Sequence, residues 1–297
     1  MSSAIAIAGC DRLPGGEAED RLLVAALADL GLTGTVLSWT DPAVGWAEFE
    51  ATVIRSTWDY TMRRRQFLAW AETVPRLHNP VEVLRDNSDK RYLARLAAAG
   101  IPIVPSEFFA PGERVRLPVG TEFVVKPSVG AGSIGAGRFP AGAHASALAH
   151  ADMLHRLGRT VMVQPYLAEV DSAGETALIF LDGRYSHAIR KSALLPPDTR
   201  YRLDSPELFL TETIRPRQPT VAELELAERV HAELAGLAPA ASAPLLYTRI
   251  DLLPSPAGPR LLEVELIEPS LFLEHAEGSA QRLAAAIADR VGAGRAR

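Results

Sequence analysis

Two short patterns near the C-terminus place acids on apolar strands: Arg249-x-Asp251 and Glu263-x-Glu265. Side chains alternate along a strand, so Glu263 and Glu265 share one face of theirs, as do Arg249 and Asp251. Neighbouring carboxylates repel when unpaired. A hard divalent cation relieves this, because Mg²⁺ takes one or two carboxylates and completes its octahedron with phosphate oxygens and water. A solvent-facing salt bridge would explain the same residues taken alone. An upstream glycine-rich loop tips the balance. Ser128 to Gly137 contains Gly130, Gly132 and Gly135, formally G-x-G-x-x-G. A dinucleotide fingerprint needs that pattern to open a helix, with an acid about 20 residues later. Here Arg138-Phe139-Pro140 follows Gly137, and His155 and Arg156 fill the distant window. No Lys-Ser/Thr follows the last glycine, which excludes a Walker P-loop. Set between two strands, Ser128, Gly130, Gly132, Ser133 and Gly135 suit a flap whose backbone N–H groups can approach a triphosphate, although a flexible surface hairpin with a solvated lysine would explain the loop alone equally well. Lys126, ending the strand that feeds this flap, supplies a point charge to the phosphates.

These residues need a scaffold, and the hydrophobic pattern describes one. Strands at Ala4–Ala8, Thr35–Ser38 and Thr52–Arg55 alternate with helices at Glu17–Leu30 and Phe67–Val74, implying a parallel sheet covered on both faces. Asn79-Pro80 breaks the chain, and a helix at Asp89–Ala99 ends at Gly100. The pattern then shifts to paired strands: Phe123–Lys126 and Val161–Tyr166, with a helix at His144–Leu157 between them. Thr176–Leu181 and Tyr185–Lys191 flank Asp182-Gly183, a type I′ hairpin signal. Strands Tyr247–Leu253 and Arg260–Ile267 carry the acids, and Gly278–Val291 is a closing amphipathic helix. Residues 192–219 carry five prolines and no clear periodicity, a candidate mobile or substrate-covering loop.

Composition narrows the class. With 47% apolar and 23% charged residues, the 297-residue chain has the balance of a folded protein of about two domains. Its net charge of −5 argues against nucleic acid as the main partner. The single cysteine, Cys10, cannot form an internal disulfide and reads as a small, partly buried thiol. The N-terminal run reads as a strand rather than a signal peptide, and no apolar stretch reaches membrane-spanning length, so a cytoplasmic location is expected.

Taken in order, these motifs resemble the ATP-grasp superfamily, in the branch of the prokaryotic glutathione synthetases. The likeness covers nearly the whole chain. It implies an α/β and α+β fold in three parts: a pre-ATP-grasp α/β domain over 1–84, a subdomain with the flap over 85–168, and a mixed-sheet subdomain with the metal site over 169–297. It implies that Lys90 and Lys126 bind the nucleotide and that Gln164-Pro165-Tyr166-Leu167 is the hinge receiving adenine. Glu169 or Glu175 would hold the ribose hydroxyls. Asp251, Glu263 and Glu265 match the metal-binding acids, which implies two Mg²⁺ held with ATP, and Arg249 matches the arginine that stabilises the transferring phosphoryl group. Many relatives have Glu-x-Asn where this chain has Glu263-x-Glu265, which alters the charge of a two-metal site. The implied chemistry is attack of a substrate carboxylate on ATP, giving an acyl phosphate and ADP, followed by attack of a nitrogen.

Candidate substrate residues lie where strands end. Ser56 to Tyr60 follows the third strand, where open α/β sheets place ligands, and Trp58 there could stack on substrate or simply pack. Arg190 and Lys191 end a hairpin strand, where the family places basic residues that hold a carboxylate or acyl phosphate. His187 faces away from Arg190 and reads as structural. Glu268 and Ser270 follow the second acidic strand and extend the pocket. The segments Arg55-Ser-Thr-Trp-Asp-Tyr60 and Glu265-Leu-Ile-Glu-Pro-Ser270 are similar to the O-ureido-serine cyclo-ligases, which implies ring closure of O-ureido-D-serine to D-cycloserine. An intermolecular amino-acid or peptide ligase shares every ATP-site residue, and a non-catalytic nucleotide-binding module is a further alternative. Homodimers are common in the family.

Overall fold

Short apolar runs with no alternation call for strands covered on both faces. The computed structural model describes residues 3–193, 195–196, 200, 213–234, 236 and 244–295. Strands β1 (Ala4–Gly9), β2 (Thr33–Ser38), β3 (Ala51–Ile54) and β4 (Leu77–His78) form a sheet of order β2-β1-β3-β4, parallel throughout. The parallel reading of this region therefore holds. Helix α1 (Ala18–Asp29) starts with a capping box between Glu17 and Asp20, which satisfies backbone donors that the first turn leaves free. It packs Leu23 and Leu27 on Ile5 and Ile7, in a core that also takes Leu283 and Ile287 from the closing helix. The opposite side holds Phe67 of α2 (Arg64–Thr73), Trp39, Cys10 and Ile54.

Helices α3 (Val81–Asn87) and α4 (Tyr92–Ala98) lead out of this sheet. The helix expected over 89–99 thus begins later, and α3 occupies the stretch after Pro80. A second sheet comprises β5 (Glu107–Phe109), β6 (Phe123–Pro127), β7 (Gly137–Phe139) and β8 (Val161–Pro165) in the order β5-β8-β6-β7, all antiparallel. Helix α5 (His144–Arg156) covers it with Ala147, Ala151 and Leu154. The short α6 (Glu169–Ala173) follows, then a third antiparallel sheet. It contains β9 (Glu175–Leu181), β10 (Arg184–Lys191), β11 (Ile214–Arg217), β12 (Tyr247–Leu253) and β13 (Arg260–Glu265) in the order β11-β10-β9-β12-β13. Asp182 and Gly183 both have positive φ, 50° and 76°, as a type I′ turn requires.

Two elements depart from the sequence reading. Helix α7 (Val221–Leu234), assigned to nothing above, buries Leu226, Val230 and Leu234 against the third sheet. The proline-rich stretch 192–219 ends in β11, where Pro216 is tolerated because β11 is an edge strand. Most of that expected covering loop (194, 197–199 and 201–212) lies outside the described residues. Helix α8 (Ser279–Arg295) closes the chain against α1 and the first sheet.

Strand β13 is the other edge of the third sheet, and an edge leaves backbone groups to satisfy. Residues from the first third of the chain satisfy them. The Tyr92 hydroxyl donates to the Val264 carbonyl (2.9 Å) and accepts from its N–H (2.7 Å). Asn87 donates to the same carbonyl (2.8 Å) and accepts from Leu266 N–H (3.0 Å). Asn79 donates to the carbonyls of Tyr247 and Leu266. The strand that carries Glu263 and Glu265 is thereby fixed against the loop bearing Lys90.

Candidate active site

Cross-strand register brings the two acidic motifs together. Arg249 pairs with Glu265 and Asp251 with Glu263, so all four side chains stand on one face of β12–β13. Carboxylate oxygens of Asp251, Glu263 and Glu265 lie within 4.8 Å of one another. Three negative charges at that spacing demand compensation, and protein cations supply it. Arg249 donates to both oxygens of Asp251 (2.9–3.2 Å) and also binds Glu265. Lys191 reaches Asp251 (2.9 Å) and Glu175, while Lys90 reaches Glu263 (3.1 Å).

The electrostatics follow. Burial alone would raise the Asp251 pKa, but Arg249 and Lys191 hold it well below the usual carboxylate range. Burial opposes ionisation of Glu263 as well, and Lys90 and Lys126 overcome it, bringing its pKa to about 2. Glu265 goes the other way, pushed up to about 7 by burial despite Arg249, with Glu263 and Asp251 adding to the rise. Lys126 is depressed to about 8, first by burial and then by Lys90, with Glu263 opposing.

With Asp251 fully buried behind Arg249 and Lys191, the side chains of Lys126, Lys191, Arg249, Glu263 and Glu265 line a cleft between the second and third sheets, enclosing about 870 Å³ with open solvent included. Lys126 projects into it from β6 with no hydrogen bond or ion pair among the described residues. Lys90 donates to the Gly130 carbonyl (2.8 Å), tying the flap to the acidic end. The flap uses its sequence: Gly132 and Gly135 have φ of 57° and 78°, and Ser133 also takes a left-handed φ of 61°. A second hollow of about 340 Å³, lined by Lys90, Gly130, Ile134 and Glu263, joins the first at Lys126, Gly132 and Ser133. Ser128 is buried at the flap's base, its N–H on the Thr160 carbonyl and its own carbonyl accepting from Lys90 N–H.

At the far end, Gln164, Pro165, Tyr166 and Leu167 all line the cleft. Glu175 lines it too; Glu169, half-buried on α6, is not among the lining residues. Arg138, which the sequence did not single out, holds this end together. It is 4% exposed, lies 3.5 Å from the Tyr166 ring centroid, and binds Glu122 (2.5 Å), Asp171 (3.2 Å) and the Leu195 carbonyl (3.0 Å).

Strand alternation separates two residues read together from sequence. Lys191 faces the acids, whereas Arg190 turns to the other side and donates to the carbonyls of Ser172 (2.7 Å) and Ala173. The structure therefore places Arg190 as a cap on α6 rather than at the acids. Trp58 donates its indole N–H to the Glu268 carbonyl (3.0 Å), and the Ser270 carbonyl accepts from Arg249 (3.2 Å). His187 donates to the Leu271 carbonyl (2.8 Å), within the fold. Arg55 opens a segment that the sequence did mark, but its partners were not legible there. This residue is 2% exposed, binds Glu19 (2.8 Å) and the Pro269 carbonyl (2.9 Å), and so anchors the 268–270 segment on the first sheet.

Comparison with known proteins gives a consistent picture. A family model described as the N-terminal domain of D-cycloserine synthetase DcsG matches residues 5–79. The cycloserine biosynthesis protein DcsG of Streptomyces lavendulae is 39% identical over 282 residues, covering 91% of this chain and 92% of that protein. The crystal structure of D-cycloserine synthetase DcsG superposes with a TM-score of 0.85 at 36% identity, covering 97% of this chain and all of that one. D-alanine–D-alanine ligase from Bacillus anthracis, complexed with ATP, shares the fold at a TM-score of 0.67 and 13% identity, covering 99% of each chain. Among the described residues, no helix is long and apolar enough to cross a membrane.

Proposed function

The chain belongs to the DcsG family of ATP-grasp ligases, and from that membership we propose that it uses ATP to close O-ureido-D-serine into D-cycloserine. The observation that carries the catalytic reading is the meeting of Asp251, Glu263 and Glu265 with Lys90, Lys126 and Arg249 at one end of a cleft roofed by the flap. Carboxylate oxygens at this spacing suit a hard cation, so Asp251, Glu263 and Glu265 are the residues that would hold Mg²⁺. When bound, the ion neutralises phosphate charge beside the reacting oxygens.

The chain's own residues do the rest. Lys126, whose side chain has no ion pair or hydrogen bond among the described residues, takes phosphate oxygens, and Lys90 holds the flap backbone against them. Arg249 has its guanidinium fixed by Asp251 and the Ser270 carbonyl, and presents the remaining charge to the phosphoryl group in transfer. Adenine lies at Gln164–Leu167, and of the two glutamates for the ribose hydroxyls Glu175 is the one that lines the cleft, where Lys191 already binds it. The substrate carboxylate attacks the γ-phosphorus, ADP leaves, and an acyl phosphate results. The ureido nitrogen bonded to oxygen then attacks the acyl carbon and phosphate departs. Removal of the carbamoyl group by water, as carbon dioxide and ammonia, balances conversion to the free ring. The closed flap keeps water from the acyl phosphate before closure.

Phosphate release from ATP and Mg²⁺ with O-ureido-D-serine, followed by mass spectrometry, tests this reading. Release with D-cycloserine as product is expected. An enzyme that binds ATP yet makes no ring from this substrate would overturn it.

A further inference from the structure

A charge inventory of the acidic end leaves one carboxylate over. Asp251 has Arg249 and Lys191, Glu263 has Lys90, Glu265 has Arg249, and Glu175 has Lys191. Glu268 is only 7% exposed, and its carboxyl makes no ion pair with any described residue. Lys90 and Arg249 act on it only from a distance, each already paired with another acid, so a ligand cation has a place to act.

Its position says which ligand. The Glu268 carbonyl accepts from Trp58, that of Pro269 from Arg55, and that of Ser270 from Arg249. The segment therefore bridges the loop after β3 and the phosphoryl-facing guanidinium, beyond the C-terminal ends of β3 and β13. Open α/β sheets such as the first bind ligands beyond the C-terminal ends of strands like β3. Tyr60, also buried, adds a hydroxyl with no hydrogen bond among the described residues, and Glu268 is the charge that acts on it most. In an α-amino acid the ammonium sits on the carbon next to the carboxyl. A substrate whose carboxylate meets the γ-phosphate at Arg249 must therefore set its ammonium close by.

We propose that Glu268 is the anchor for the α-ammonium group of the amino-acid substrate, with Tyr60 as a second acceptor; this rests on the ligase reading above. The site thereby selects a zwitterion over a plain carboxylic acid. Burial, and then Glu265, hold the Glu268 carboxyl well above its usual range, and an incoming ammonium would reverse both effects.

The test is phosphate release over amino acids paired with their des-amino counterparts, beginning with O-ureido-D-serine and 3-(ureidooxy)propanoate, in the wild type and in Glu268→Gln. Gln keeps the size and loses the charge. The wild type is expected to prefer the ammonium-bearing member by about tenfold or more in kcat/KM, and Glu268→Gln to lose that preference while its KM for ATP stays within about twofold. Glu268→Asp, which keeps the charge on a shorter stem, is expected to retain part of it. A preference that survives in Glu268→Gln overturns the proposal, as does a wild type indifferent to the ammonium group. Refusal of O-ureido-D-serine, with another amino acid accepted through Glu268, would sink the cycloserine reading alone.

Discussion

The two ends of the cleft use buried charge in opposite ways. At the acidic end, Lys90, Lys191 and Arg249 are paired with carboxylates that also face the ligand, so each pair can be exchanged for phosphate and metal. At the hinge end, Arg138 spends its donors on Glu122, Asp171 and a backbone carbonyl, and lays its plane over Tyr166. Of those partners only Tyr166 and Leu195 line the cleft. A cation in an exchangeable pair serves turnover, and a cation locked among protein acceptors serves shape. Lys126 belongs to neither group, since it stands in the cleft without an ion pair among the described residues.

The sharpest way to break this comparison is at Lys126. Lys126→Ala should lower kcat by about 10²–10³-fold, because it removes a charge aimed at the developing phosphoryl charge. Its thermal midpoint should fall little, because the Lys126 side chain makes no ion pair or hydrogen bond among the described residues and acts on Glu263 only from a distance. Glu263→Gln should cost turnover on the same scale. Phosphate release and a melting curve on one preparation check both. Full activity in either variant would remove the phosphate and metal assignments.

Arg138→Met is the counterpart at the other end. It should cost about 1–3 kcal/mol of stability, with Glu122 and Asp171 partly solvated and their pairing screened accordingly. It should also raise the KM for ATP about tenfold by loosening Tyr166, with kcat at saturating ATP little changed. A large fall in kcat with unchanged KM would erase the distinction between the two ends.

How much of this was readable beforehand depends on the distance between partners. Spacing of two residues placed Glu263 with Glu265 and Arg249 with Asp251, because alternation is a local property. That Arg249 faces Glu265 across the ladder required strand pairing, which spacing does not reveal. Arg190 and Lys191 show the same limit, since parity separates them without saying which one meets the acids. Asn79, Asn87 and Tyr92 carry no motif, and the groups they satisfy lie well over a hundred residues away. Arg138 follows the flap as an ordinary charged residue, and only the folded chain surrounds it with acceptors. Helix α7 does have Leu226, Val230 and Leu234 at helical spacing, but the proline-rich stretch before it hides the start.

The edge pins offer a smaller, intermediate test. Tyr92→Phe removes the hydroxyl that serves both backbone groups of Val264, midway between Glu263 and Glu265. The buried Val264 N–H loses its partner while the carbonyl keeps Asn87, so a loss of about 1–3 kcal/mol is expected. Displacement of the acidic strand should also lower activity, measurably less than Lys126→Ala does. A variant that melts lower with unaltered turnover would show that the strand holds its place without this pin.

The smallest expected effect is also the most specific to an unpartnered lysine. Burial lowers the Lys126 pKa from 10.5 to about 8 in the folded chain. The folded-state value lies below the unfolded one, so between those values the unfolded chain binds a proton that the folded chain lacks. Stability should therefore rise with pH across that window, and below it the folded state carries the full cost of a buried ammonium. Activity should move oppositely. As pH passes about 8 the free enzyme loses the charge that meets the phosphates, so kcat/KM for ATP should decline with rising pH. Lys126→Met should flatten the first of these slopes. Denaturation midpoints at several alkaline pH values, compared between wild type and variant, provide the measurement. The cations at the paired sites already have their counter-charges, so an equal slope remaining in Lys126→Met would show that Lys126 is not the group responsible.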